Sequence, residues 1–199
     1  DFMLLLDQIA IKGAAEIMAP GGAMITDAKL TPEPPEGEFT VLALPISETA
    51  IKLGNVRVAN VIALGALAGL GVRQFGVCLG LQGIAEAFGG ELALLSEPRH
   101  GKVWEIAHDG SGLFAGLPAP LVAGAYHSLH APEDRLPPEL EVTARSEGGL
   151  VMALVHRKLA IAGVQFHPES ILSLRDGAGL ALLGNVLAGL TGQGAANNV

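Results

Sequence analysis

The chain has 199 residues, half of them hydrophobic and only 16% charged, a balance that argues against disorder and for one compact domain with a tightly layered interior. A formal net charge of −8 gives no basic footprint for a phosphate backbone or an anionic bilayer, so nucleic acid and membrane are set aside as partners. The single cysteine, Cys78, cannot close an internal disulfide, and no basic, apolar leader opens the chain, so the expected compartment is the cytoplasm.

In chain order, the apolar run 2–6 reads as a strand, and 8–18 has helical spacing that Pro20-Gly21-Gly22 would stop. Short apolar runs at 23–26 and 40–44 read as two strands, separated by the proline-rich acidic stretch TPEPPEGE at 31–38, which cannot be a central strand and reads as a solvated loop. Residues 47–53 and 58–70 look helical, the second apolar all round and therefore buried. Residues 72–77 return to strand, and a helix over 79–88 ends at Gly89-Gly90. Beyond it, 103–106, 121–125, 141–145, 151–156 and 160–166 alternate as strands do, and 178–190 closes the chain as a helix. Strands alternating with helices predict an α/β fold, a single three-layer domain over 1–199 with a mostly parallel central sheet.

The lone thiol stands in Gly76-Val77-Cys78-Leu79-Gly80. G-x-C-x-G is the thiol counterpart of the G-x-S-x-G turn that sets a nucleophile at a sharp strand-to-helix junction. Both glycines have a reason in that setting: they remove side chains where strand and helix pass close together. The amino terminus of the following helix points N–H groups at the sulfur, which favours thiolate over thiol. An inert buried cysteine is the competing reading, since a lone thiol in an apolar run is commonly just that. A nucleophilic thiolate needs a base, and the base needs an orienting group. Gln165-Phe166-His167-Pro168-Glu169-Ser170 follows an apolar strand, and Pro168 keeps the backbone extended so that His167 and Glu169 project to one side. The carboxylate can then fix the imidazole tautomer.

With GVCLGLQ at 76–82, PRHGK at 98–102, YHSL at 126–129, SEGGLVMAL at 146–154 and GVQFHPESILS at 163–173, the chain from about 72 to 190 resembles the class I glutamine amidotransferases, most of all the glutaminase part of anthranilate synthase. The resemblance implies a flavodoxin-like fold and a Cys-His-Glu triad, with Cys78 as nucleophile, His167 as general base and acid and Glu169 as its orienting group. It also implies that Gln82 and the backbone of Ser128 and Leu129 hold glutamine, and that the N–H of Leu79 supplies half of an oxyanion hole. His100-Gly101-Lys102 resembles the family's loop near the synthase contact. No cofactor is implied. Glutamine is the implied substrate, and a synthase subunit of the anthranilate type, outside these 199 residues, is the implied partner for the ammonia.

Other patterns carry less. Gly110-Ser111-Gly112 before Gly116 misplaces the third glycine of a dinucleotide loop and reads as a turn. His127 and His130, three apart without a second cysteine, read as pocket lining rather than zinc ligands.

Residues 1–72 depart from the amidotransferase pattern. The family's S-P-G-P-G loop, which gives the second oxyanion donor, is missing; the nearest stretches are Ala19-Pro20-Gly21-Gly22, ahead of an expected strand, and Leu44-Pro45-Ile46-Ser47, which lacks glycine. Instead, residues 1–70 resemble the gamma domain of 2-oxoacid:ferredoxin oxidoreductases, so the chain reads as a fusion of half-domains 1–72 and 73–199. Two alternatives to the glutaminase stay open on sequence alone: a catalytically silent chimeric or engineered scaffold, and a structural subunit of such an oxidoreductase.

Overall fold

A computed structural model of the chain describes residues 2–5, 16, 18–52, 54, 59, 62–63, 65 and 73–191. The chain forms two compact units, Asp1–Ala66 and Leu67–Val199. Among the described residues no helix is long and apolar enough to cross a membrane.

The first unit carries a three-stranded sheet of β1 (Phe2–Leu5), β2 (Ala23–Asp27) and β3 (Thr40–Leu44) in the order β1-β2-β3, all parallel. The proline-rich segment between β2 and β3 is loop, as its missing N–H groups require. Helix α1 (Ile46–Lys52) follows β3 after Pro45 and buries Ile46 and Ala50. The expected helix over 8–18 lies almost wholly outside the described residues, as does most of that over 58–70, where Ala59, Ile62, Ala63 and Gly65 are helical.

Asp27 ties this unit together. Its Oδ1 accepts the N–H groups of Lys29 at 2.9 Å and Leu30 at 3.0 Å and the hydroxyl of Ser47 at 3.0 Å, while Oδ2 accepts the N–H of Ser47 at 2.5 Å. Burial pushes this carboxyl up, but the four donations outweigh it and hold the group below the ordinary aspartate value.

The second unit is built on a six-stranded sheet, β4-β9-β8-β7-β5-β6, comprising β4 (Gln74–Val77), β5 (Ala93–His108), β6 (Leu121–His130), β7 (Leu140–Ser146), β8 (Val151–His156) and β9 (Ile161–Val164). Helix α2 (Leu79–Ala87) follows β4 directly, and α3 (Ala178–Thr191) closes the described chain. The α/β class holds, and the pairing is mixed: β4 and β9 are parallel, and the other neighbours are antiparallel. The reason is connection length. Residues 147–150 and 157–160 are the whole of the β7–β8 and β8–β9 links, and so few residues close hairpins but cannot make the crossover that parallel pairing needs.

Two apolar clusters fill this unit. Leu81, Ile84 and Ala85 of α2 pack with Leu140, Leu154 and Ile161, whereas Ala178, Leu182 and Val186 of α3 join Ile106, Phe114, Leu121, Met152, Val164 and Phe166.

The seat of α2 is set by two glycines that are register partners across β4 and β9, Gly76 and Gly163. A Cβ on Gly76 would stand 2.5 Å from the carbonyl carbon of Gly80, and one on Gly163 would stand 3.0 Å from Cα of Leu81. The expectation for Gly80 fails, since a Cβ there would meet nothing within 4 Å; the helix leans on the sheet through its own Gly80 backbone, and the strands supply the bare positions.

Two outcomes follow from these contacts. Gly76→Ala should lower unfolding free energy by on the order of 3 kcal/mol in urea denaturation, because backbone rather than a flexible side chain blocks the added methyl. Asp27→Asn should destabilise more at pH 7 than at pH 3, since a depressed carboxyl contributes stability above its unfolded pKa and loses it as pH falls through the folded one; equal losses at both pH values would contradict this.

Candidate active site

Cys78 occupies the single residue between β4 and α2, with φ 52° and ψ −99°. This is a positive φ on a non-glycine residue, a backbone state kept only where surroundings enforce it. The enforcement is a hydrogen bond from the Cys78 N–H to the carbonyl of Val164 at 2.7 Å, at the end of the neighbouring β9. The sharp junction expected from the sequence is therefore present.

The thiol is half-buried rather than exposed. Burial pushes its pKa up, the N–H of Leu79 pulls it down, the charge of Glu169 pushes up again, and the amide of Gln165 pulls down; the net direction is up. The start of α2 favours thiolate as expected, through the N–H of Leu79, but desolvation outweighs it. Gln165 Nε2 lies 3.6 Å from Sγ. Its Oε1 accepts from Gln82 Nε2 at 3.1 Å, and the same Gln82 nitrogen donates to the carbonyl of Leu129 at 3.1 Å. Gln82, Leu129 and Cys78 are thus connected through a residue to which the sequence alone gave no role, although strand alternation puts positions 165 and 167 on one side.

His167 Nδ1 and Glu169 Oε1 are 2.6 Å apart, so the imidazole is oriented by the carboxylate two residues on. The backbone N–H of His167 donates to Gly124 of β6 at 3.0 Å, and Ser173 Oγ donates to the His167 carbonyl at 2.5 Å. The Tyr126 ring meets the imidazole edge-on at 5.2 Å, and its hydroxyl lies 3.0 Å from Ser170 Oγ. Nε2 of His167 is buried without a hydrogen-bond partner. The structure therefore brings His167 to Glu169 and Glu169's charge to the thiol, but it forms no hydrogen bond between His167 and Cys78. A catalytic contact of this kind commonly tightens only once substrate is bound.

Of the remaining predicted residues, Ser128 and Leu129 lie on β6 and Leu79 opens α2. Ser128 Oγ is 3.0 Å from Nε2 of His100, in the HGK stretch of β5, where the register between β5 and β6 shifts and Gly101 has φ 67°. The side chain of Leu79 is exposed. His127 is buried: its Nδ1 meets the carbonyl of Leu129 at 2.8 Å, and its Nε2 accepts the indole N–H of Trp104 at 3.3 Å. An Nε2 that accepts cannot also be protonated, and burial likewise holds the ring below the ordinary histidine value. Trp104, whose face carries the Arg99 guanidinium at 3.7 Å, also lines a cavity of about 490 Å³ with His130 and Glu147; Cys78 and His167 do not line it.

A half-buried cysteine thus stands at a strained strand-to-helix turn, and a carboxylate-oriented histidine stands three residues beyond the end of the strand that pairs with β4. Residues 54–183 match the model of the glutamine amidotransferase class-I family, and the chain belongs to that family. Residues 1–97 also match the pyruvate ferredoxin/flavodoxin oxidoreductase model, so residues 54–97 fall under both. Among curated relatives, an anthranilate synthase of Azospirillum brasilense is 64% identical over 118 residues, covering 59% of this chain and 16% of its own. An anthranilate synthase component 2 of the same organism is 50% identical over 144 residues, covering 72% of this chain and 65% of its own. The chain thus spans less than two thirds of either relative. In fold it is similar to a glutamine amidotransferase from Thermotoga maritima, with a TM-score of 0.57, 14% identity and 96% of each chain covered.

Alkylation of the lone thiol by iodoacetamide should rise with pH around a midpoint above that of an exposed cysteine, because the buried sulfur resists ionisation; a midpoint below it would contradict the balance of burial over donors described above.

Proposed function

We propose that the chain is a glutaminase, hydrolysing glutamine to glutamate and ammonia through a thioester on Cys78 and passing the ammonia to a synthase component of the anthranilate type. The observation that supports this best is the short His167–Glu169 contact, which orients the ring and leaves Nε2 buried and unengaged, beside a thiol held in a strained turn. The relatives named anthranilate synthase support the choice of partner and product.

In this reading the Cys78 thiolate attacks the side-chain amide carbon of glutamine. The carbonyl oxygen takes up the negative charge against the N–H of Leu79. Collapse breaks the C–N bond while protonated His167 gives its proton to the departing nitrogen, releasing ammonia. Water then attacks the thioester as His167 takes a proton from it, and glutamate leaves with the thiolate restored. Glu169 keeps the ring in one tautomer and stabilises its charged form. Gln82 and the backbone of Ser128 and Leu129 hold the substrate. A positioned acid and base contributes roughly 10²- to 10⁴-fold, and each oxyanion donor roughly 10²- to 10³-fold.

A second reading, a catalytically silent composite, draws on the oxidoreductase match of residues 1–97 and on the absence of S-P-G-P-G from the chain. Ammonia release from glutamine separates the two. Wild type should exceed Cys78→Ala by at least about 10³-fold, with Glu169→Gln falling between them; equal, slow release by wild type and Cys78→Ala favours the silent composite.

A further inference from the structure

The buried amide of Gln165 is fully enclosed, and its orientation follows from its neighbours alone. The carbonyl of Leu129 can only accept, so Gln82 must turn its NH2 group toward it. That NH2 also reaches Gln165, which must therefore present its oxygen. The NH2 of Gln165 is left facing Sγ of Cys78, 3.6 Å away. The backbone of the same residue is fixed by donation to the carbonyl of Met152 at 2.8 Å, and the preceding Val164 holds the Cys78 N–H. One strand end thus grips the cysteine twice, through its backbone and through its sulfur.

We propose that Gln165 is a positioning residue for the nucleophile, its amide locked by Gln82 so that an N–H points at Sγ and favours the charged sulfur in the attacking orientation. An amide suits this task better than a cation. It stays neutral at every working pH, and it favours thiolate without forming an ion pair that would blunt the nucleophile. The lock also links substrate binding to the thiol, because Gln82, which holds glutamine in the proposed reaction, touches Gln165 directly. A glutamine that drew Gln82 toward itself would alter the donor on the sulfur. The inference deepens the proposed function and rests on Cys78 being the nucleophile.

The test reads the sulfur rather than turnover. Cys78 is the sole cysteine, so the pH profile of iodoacetamide alkylation reports it alone. Gln165→Met, which keeps volume and removes the donor, should move the midpoint up by about one pH unit, a tenfold loss of thiolate at fixed pH below the midpoint. Gln165→Glu, similar in shape but with a carboxylate in place of the donor, should move it further. An unmoved midpoint in a folded variant overturns the assignment. Should either variant fail to fold, wild-type protein supplies the same test: the Gln165 side-chain amide resonances should titrate with the alkylation midpoint and stay still in Cys78→Ala. Amide signals that do not follow the thiol in wild type overturn the proposal. No glutamine is needed, so the two failures are distinguishable: a shifted midpoint in a chain that releases no ammonia would count against the glutaminase reading, and with it the nucleophile, while keeping the Gln165 donor on the Cys78 sulfur.

Discussion

Much of the second unit's chemistry depends on one constrained residue. Cys78 stands at positive φ, a state that costs an L-residue of order 1–3 kcal/mol, and it is held there because β4 ends and α2 begins with nothing between them but this position. The helix can start so abruptly only because it can lie against the sheet at Gly76 and Gly163, where backbone meets backbone. A side chain at either strand position would push the helix outward and relax the turn. Packing at two glycines is thus converted into direction at a sulfur.

The electrostatics around that sulfur are a contest rather than a simple activation. Burial and the Glu169 carboxylate oppose ionisation, while the N–H of Leu79 and the amide of Gln165 support it. A group balanced in this way responds to small changes. A positive charge on the imidazole that Glu169 orients would offset the carboxylate that opposes ionisation of the thiol. The neutral His127, locked between the Trp104 indole and the Leu129 carbonyl, adds no competing charge.

The alternation and turn chemistry of the second unit were legible in the sequence: all five expected strands beyond α2 are present, 151–156 matching β8 while β5 begins at Ala93, well ahead of the expected 103, since apolar alternation locates a strand better than it marks where the ladder stops. The thiol elbow was legible because Gly76 sits two residues before Cys78. Gly80, by contrast, was read as a packing glycine and proved open on its Cβ side; sequence spacing shows that a glycine is present and not which chain approaches it. Gly163 and Gln165 went unassigned for a related reason. Their partners, Leu81 and Cys78, lie more than eighty residues away, and only the parallel pairing of β4 with β9 brings them together. The pull of the helix start on the Cys78 thiol was legible because a helix terminus can be read from sequence, whereas the desolvation that outweighs it depends on the enclosing fold.

The overlap of two family models on residues 54–97 has a physical sense. A parallel strand, a tight turn and a helix seated on strand glycines satisfy the geometry of any α/β layer, so residues 74–87 fit either family as architecture. What distinguishes them is chemistry. Of the residues assigned to the proposed site, Cys78, Leu79 and Gln82 come from the shared stretch. Ser128, Leu129, Gln165, His167 and Glu169 all lie beyond residue 97, under the amidotransferase model alone. With a fold shared at the elbow, the groups gathered by the later strands are what differ: β6 offers the Leu129 carbonyl that orients Gln82, and the end of β9 delivers the Gln165 amide and, two residues later, the imidazole of His167. On this division, the immediate surroundings of Cys78, from the N–H of Leu79 to the amide of Gln165, belong to the second unit.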